Sequence, residues 1–364
     1  MSTDSPHNRH RIDPTEALEL LTRTPMGELM GMAHAERTRR HPDRRVTFVF
    51  DTNPNYTNVC VTQCRFCAFC CPPADARAYT LTPGQVGEKV RNAARLGATT
   101  VLLQGGHNPE VGLQQWLDYI RAIQAAAPEI HIHPFSPAEY IFMAGQEQCD
   151  VVDILEAVYR AGVRTIPGGG AEVLTEAVRQ KIAPRKASTR EWLSVCETAH
   201  GIGFRTTATL MFGHVESDEE IIEHLMVLRD LQDRTGGFTS FIPWSYKPGG
   251  NPLGKAVPRG VHPAKYVRVI ATARLVLDNF DHVQSSWFSE NVAAGQLGLL
   301  AGADDFGGIL VEENVLMQAG HQRSTTEEKV KTIIRRTGFT PAQRDSGYRV
   351  LRTFAGPEPA GIRS

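Results

Sequence analysis

The chain is expected to fold as an α/β protein, a (β/α)8 barrel of the TIM type with helical extensions at both ends. Three observations predict this. Short β-like runs alternate with longer helical patterns from Val46 onward. Eight such runs fit into about 250 residues, the span of a single barrel. The unusual residues fall just after these runs, where the loops of a barrel share one rim. An open, doubly wound sheet is the alternative, because strand order is not written in one sequence.

The elements follow in order. Pro14 to Arg40 is helix-like and precedes the first β-like run, Val46–Phe50. Further runs are Thr99–Leu103, Ile130–Pro134, Val163–Ile166, Arg205–Met211, Phe238–Ile242, His282–Trp287 and Asp304–Leu310. Helical patterns at Pro83–Leu96, Gly112–Ala126, Val151–Ala161, Thr189–His200, Ser217–Asp233 and Pro263–Asn279 separate them. Thr325–Thr337 and Pro341–Phe354 read as helices of a tail. The expected organisation is an N-terminal helical extension (1–45), a barrel (46–320) and a C-terminal helical extension (321–364).

Hydrophobic residues make up 41% of the chain and charged ones 22%, so a large core can form without disulfide staples. The net charge of −1 gives no field for nucleic acid or an anionic membrane, and neither is expected as a partner. No apolar stretch approaches the roughly 20 residues of a membrane span. Met1–Arg11 is polar, without the apolar segment of a secretory signal, so the expected location is cytoplasmic.

Five of the seven cysteines, Cys60, Cys64, Cys67, Cys70 and Cys71, fall within twelve residues. Such a cluster points to metal or redox chemistry rather than a disulfide framework. Cys60, Cys64 and Cys67 have the spacing C-x3-C-x2-C. Thiolates suit iron–sulfur clusters, and a 4Fe–4S cluster normally takes four of them. Three leave one iron open, as a catalytic metal site requires. That iron could chelate the amino and carboxylate groups of S-adenosylmethionine (SAM). A zinc site or a four-cysteine cluster completed by Cys70 is the alternative, and inert core thiols are a third. Cys149 and Cys196 stand alone and read as core thiols.

Other rim motifs supply further candidates. Gly105-Gly106 lets a ligand approach the backbone, as does Gly168-Gly169-Gly170. Glu172 could accept hydrogen bonds from a ribose diol, or could favour a helix start. Ser136, in the loop after the third run, is a further candidate cofactor contact. His131 and His133 share one face of a strand, with His133 nearer the rim. His214 and Glu216 are the candidate catalytic residues, one of them as a base, with helix capping or local hydrogen bonding as an equal alternative. Trp244 and Tyr246 could stack on an aromatic group. Asp304 and Asp305 are read as rim carboxylates with no assigned duty, and Arg185 and Lys186 as partners for a substrate carboxylate or as solvated charges.

Asn55-Tyr-Thr-Asn-Val-Cys60 through Cys67-Ala-Phe69 resembles the radical SAM enzymes of the futalosine menaquinone pathway and the related deazaflavin synthases. Gln104-Gly-Gly-His-Asn-Pro109, Pro167-Gly-Gly-Gly-Ala-Glu172, Gly236–Trp244 and Glu312-Glu-Asn314 support this. Thr206–His214 and Pro243-Trp244 favour the branch that cyclises dehypoxanthine futalosine over aminofutalosine synthase. The resemblance implies a radical SAM barrel and a 4Fe–4S cluster on Cys60, Cys64 and Cys67, with one iron open to SAM. It implies SAM contacts from Gly105, Gly106, Ser136 and Glu172, and a reductant such as flavodoxin or ferredoxin. It further implies that a deoxyadenosyl radical takes hydrogen from the sugar of dehypoxanthine futalosine, whose carbon radical adds to the benzoate ring. Aminofutalosine synthase and deazaflavin synthase chemistry are the alternatives within the group. A zinc or electron-transfer protein is the alternative outside it. Cys70-Cys71-Pro72-Pro73 departs from the pattern, since relatives carry an aromatic residue, a basic stretch and Pro-Gly there.

Overall fold

The structure is a computed structural model and describes residues 10–310 and 325–355. Glu312-Glu-Asn314 lies outside these residues. Helices α1 (Pro14–Thr22) and α2 (Met26–Arg40) precede strand β1 (Arg45–Thr52). Strand and helix then alternate through α3 (Pro83–Arg95), β2 (Thr100–Leu103), α4 (Leu113–Ala126), β3 (His131–Pro134), α5 (Pro137–Glu147) and α6 (Val151–Arg160). Next come β4 (Thr165–Ile166), α7 (Glu176–Ile182), α8 (Thr189–Ile202), β5 (Arg205–Phe212), α9 (Asp218–Thr235) and β6 (Phe238–Ser245). The barrel ends with α10 (Pro252–Ala256), α11 (Pro263–Val276), β7 (His282–Val283), α12 (Val292–Leu300) and β8 (Asp305–Leu310). Helix α13 (Glu327–Arg336), β9 (Thr340–Arg344) and β10 (Val350–Thr353) follow.

Local chemistry starts many of the helices. Thr82 with Gln85, Ser136 with Glu139, Ser188 with Glu191 and Ser217 with Glu220 each close a capping box. The strands are apolar because both faces are covered: β1 buries Val46, Phe48 and Val49, and β5 buries Ala208, Leu210 and Phe212. No helix among the described residues is long and apolar enough to cross a membrane.

Strand β1 pairs in parallel with β2, and β2 with β3. Strands β4 to β7 form a second parallel run. Side chains join the two runs on one side, where Thr165 Oγ1 bonds both His131 Nε2 and His133 Nδ1 at 2.7 Å. On the other side, Gln284 bridges to Asp305 and β8 returns to pair with β1. That return closes the barrel and rules out the open doubly wound sheet.

The helix expected over Pro341–Phe354 does not form. Strand β9 instead pairs in parallel with Arg45–Val49 of β1, and β10 folds back on β9 as an antiparallel hairpin. The reason is an edge. Strand β2 reaches β1 only at Asp51 and Thr52, which leaves the lower half of β1 without a neighbour on that side. Strand β9 satisfies that backbone, so tertiary pairing overrides the helix-favouring Ala342, Gln343 and Arg344. In the hairpin turn, Asp345 Oδ1 accepts from the N–H groups of Gly347 (2.9 Å) and Arg349 (3.0 Å).

Candidate cofactor site and barrel cavity

The cysteine loop leaves the upper, C-terminal end of β1. Its neck is closed by Cys60 N–H donating to Cys71 O at 3.0 Å and Cys71 N–H donating to Asn58 O at 2.8 Å. The buried Cys71 Sγ accepts from Asn58 Nδ2 at 3.4 Å, so this thiol belongs to the neck. Arg65 N–H donates to Ile182 O at the end of α7, and Asn251 Nδ2 donates to Phe66 O. The loop is thus fastened from two neighbouring rim segments.

Gly105 and Gly106 follow β2, and the cysteine loop itself fills the space their side chains would need. A Cβ on Gly106 would lie 2.1 Å from Val59 O, and one on Gly105 would lie 2.6 Å from the Tyr56 ring. Next in sequence, His107 bonds Thr62 through Nδ1 at 2.7 Å and stacks on Phe142. Burial pulls its pKa down to about 3, so it is a neutral clamp.

Ser136 caps α5 and donates from Oγ to Glu139 Oε2 at 2.7 Å. Glu139 also accepts from Tyr56 Oη (3.0 Å), Gly105 N–H (3.2 Å) and Ser136 N–H (2.7 Å). Burial raises its pKa even though these donors oppose the rise. One carboxylate therefore ties the cysteine loop, the glycine turn and β3 together. Sequence reasoning passed over Glu139, although the Ser-Pro-Ala-Glu capping signal was there to be read.

The turn after β4 packs as tightly. Gly168 N–H donates to Thr207 Oγ1 at 2.8 Å, and a Cβ on Gly168 would lie 2.2 Å from Thr207 O. Glu172 faces Lys186 Nζ at 3.0 Å and Arg179 Nη1 at 3.8 Å. Burial would lower the Lys186 pKa, but the charges of Glu172 and Cys64 outweigh it and hold the ammonium charged. This buried pair lies beside the cysteine loop, with Lys186 Nζ 5.6 Å from the Phe66 ring centre. Arg185 instead reaches Gln63 Oε1 at 2.6 Å on the exposed side of that loop.

The thiols fit a multi-iron group better than a single ion. Among the described residues, only His41, His282 and Asp304 bring three such ligand atoms within 4.8 Å of one another. Cys67 and Cys70 hydrogen-bond to each other, but no three of the Cys60, Cys64, Cys67 and Cys70 thiols come that close together, which fits a single tetrahedral zinc less well than a larger group. Burial pushes the Cys64 thiol up to about 12, so it needs a cation to stay ionised. Lys186 offsets part of that cost.

Other candidates fall elsewhere. His214 pairs with Glu216 at 3.0 Å and bonds Met211 O through Nε2, while Glu216 accepts from Gly213 and His214 N–H. Both side chains are almost wholly buried and hold the turn after β5; neither lines the cavity. Trp244 does line it, whereas Tyr246 is buried and donates to Asn251 Oδ1. Asp304 and Asp305 are not rim carboxylates. Strand β8 begins at Asp305, which places both at the lower end, where Arg274 and His282 hold Asp304 and Arg344 and Thr47 hold Asp305. Cys196 is buried as expected, and Cys149 is half-buried.

The barrel holds an open-mouthed cavity of about 300 Å³. Asn53, Gln104, Gly168 and Gly169 line its upper end, and Leu102, Pro167, Ile242, Trp244 and Phe288 give it apolar walls. His133, Arg344, Ser346 and Tyr348 lie toward its lower end, the last three from the C-terminal hairpin. No motif in the sequence marked those three.

Residues 55–228 match the radical SAM superfamily, and residues 235–355 match the CofH/MqnC C-terminal region. The cyclic dehypoxanthine futalosine synthase of Streptomyces coelicolor is 39% identical over 94% of this chain and 86% of its own. The chain belongs to the radical SAM superfamily. Within it, this radical SAM enzyme is similar to several kinds of relative, among them the FO synthase of Mycobacterium tuberculosis (39% identical over 84% of this chain and 36% of its own). The 5-amino-6-(D-ribitylamino)uracil–L-tyrosine 4-hydroxyphenyl transferase of Methanopyrus kandleri is also 39% identical, over 90% of each chain. The barrel resembles methylornithine synthase (TM-score 0.71, 18% identity, 92% of this chain and 95% of that one). It also resembles the FeFe-hydrogenase maturase HydG of Carboxydothermus hydrogenoformans (TM-score 0.71, 16% identity, 93% and 78%). The family implies a 4Fe–4S cluster and SAM.

Proposed function

We propose that this radical SAM enzyme cyclises dehypoxanthine futalosine, with the cluster on Cys60, Cys64 and Cys67. The observation that carries the reading is the near full-length 39% identity to the Streptomyces coelicolor synthase. The barrel cavity agrees with it, since aromatic walls and a polar lower end suit a molecule that joins an arene to a sugar.

Cluster and SAM together supply a 5′-deoxyadenosyl radical that removes a hydrogen atom from the substrate. The protein's own residues do the rest by placement. Lys186, held charged by Glu172 beside the cysteine loop, is available to a carboxylate of SAM. The Gln104 amide makes no hydrogen bond to any described residue and stands at the cavity's upper end between the glycine turns, available to either molecule. Trp244 and Phe288 offer faces for the arene.

The equal identity to the Methanopyrus kandleri transferase favours a second reading, transfer of a tyrosine-derived group to a ribitylaminouracil. Anaerobically reconstituted enzyme, a reductant and SAM decide between them. The cyclase reading expects one 5′-deoxyadenosine per product two hydrogens lighter than dehypoxanthine futalosine. Turnover only with tyrosine and the ribitylaminouracil would overturn it.

A further inference from the structure

The lower end of the cavity is polar but carries no free charge. The only cation there among the described residues is Arg344, and Asp305 answers its charge. Its Nε and Nη2 donate to Asp305 at 2.5 and 2.9 Å, and Nη1 donates to Asp345 O at 3.0 Å. Two other polar groups are left open. Ser346, 8% exposed, makes no side-chain hydrogen bond to any described residue. His133, 6% exposed, uses Nδ1 on Thr165 and leaves Nε2 without a partner among the described residues. Both line the cavity. Burial drives the His133 pKa well below its ordinary value, so the ring is neutral.

Polar groups that line a cavity without protein partners fit a ligand that brings its own hydrogen bonds. An anion would find no free cation there. Hydroxyl groups fit, because each both donates and accepts. The opposite walls, Trp244 and Phe288, take an arene instead.

We propose that His133 Nε2 and Ser346 Oγ hold the sugar hydroxyls on the far side of the substrate from the carbon that gives up its hydrogen, which then faces the cysteine loop. The turn of the C-terminal hairpin then determines specificity in this enzyme. The inference rests on the reading that the substrate joins an arene to a polyol, which both candidate reactions share.

Ser346→Ala in the reconstituted, SAM-loaded enzyme tests it by isothermal titration calorimetry. The probes are dehypoxanthine futalosine and 5-amino-6-(D-ribitylamino)uracil. The expected result is a Kd about tenfold weaker for the probe that the wild type binds, with KM raised and kcat kept. The melting temperature should hold or rise, because the hydroxyl makes no bond within the protein; a merely structural hydroxyl would lower it. An analogue lacking one sugar hydroxyl should lose a similar factor in the wild type and nothing further in Ser346→Ala. An unchanged Kd in the variant overturns the proposal. Binding of the ribitylaminouracil alone, weakened by Ser346→Ala, sinks the cyclase reading and leaves the polyol site standing. A wild type that binds neither probe overturns both.

Discussion

The two ends of this barrel use the same kinds of side chain to opposite purposes. At the lower end every strong charge is answered within the protein. Arg274 pairs with Asp304, which also accepts from His282 Nδ1 at 2.5 Å, and Arg344 grips Asp305 with two nitrogens. Burial would raise the Asp304 pKa, but His282 and Arg274 hold it well below the usual carboxylate range. At the upper end, by contrast, groups are positioned and left open: the thiols of Cys60, Cys64 and Cys67, with the closed Lys186–Glu172 pair beside them, and the Gln104 amide. A closed network stabilises, whereas an open one costs stability and waits for a ligand. The difference also settles why His41, His282 and Asp304 converge without standing as a ligand site: Arg274 and His282 already satisfy the carboxylate.

This contrast can be broken most sharply at the cysteines. Replacing Cys60, Cys64 or Cys67 by Ala should abolish SAM cleavage and the cluster's visible absorption. The urea midpoint of the apoprotein should barely move, and a large loss of stability would show that the thiols are structural. The converse holds below. Asp304→Asn should cost about 3–5 kcal/mol by leaving Arg274 unpaired in the core, read as a lower urea midpoint, while surviving folded enzyme keeps its SAM cleavage.

Gly106→Ala tests the seam between the ends. Its Cβ would collide with Val59 O, so we expect about 1–3 kcal/mol of destabilisation, together with reduced iron per chain after reconstitution. Acid titration sharpens the comparison further. His107 and His224 are buried neutral, with pKa values lowered to about 3 by burial. The unfolded chain takes up protons below about pH 6.5 and the folded chain does not, so stability falls as pH drops from there toward 3. Each contributes about 1.4 kcal/mol per pH unit once titration of the unfolded state is complete. His224→Gln should flatten the dependence of the urea midpoint on pH between 6 and 4. The smallest effect belongs to exposed pairs: Glu156→Gln, which breaks the ion pair with Arg160, should shift stability by less than about 0.5 kcal/mol.

Legibility in the sequence followed the range of the interaction. The cysteine loop was readable because its spacing is local, and Gly105-Gly106 was noticed as a place where backbone must come close. The partner proved to be the cysteine loop, more than 40 residues earlier in the chain, which no local pattern states. His214 and Glu216 look catalytic as isolated polar residues, yet in the fold they satisfy each other. Asp304 and Asp305 look like rim residues only if β8 is read as ending where it in fact begins.

The sequence by itself determined the alternation of strand and helix, the capped helix starts and the thiol-bearing loop, because periodicity, capping and ligand spacing act over a few residues. Tertiary structure alone decided that the sheet closes and that β9 completes the edge of β1. It also decided that Arg344, Ser346 and Tyr348 reach the cavity from the far end of the chain. The physical reason is that an unpaired strand edge or an unsatisfied buried charge selects its partner by position in space, and separation along the chain does not limit that choice.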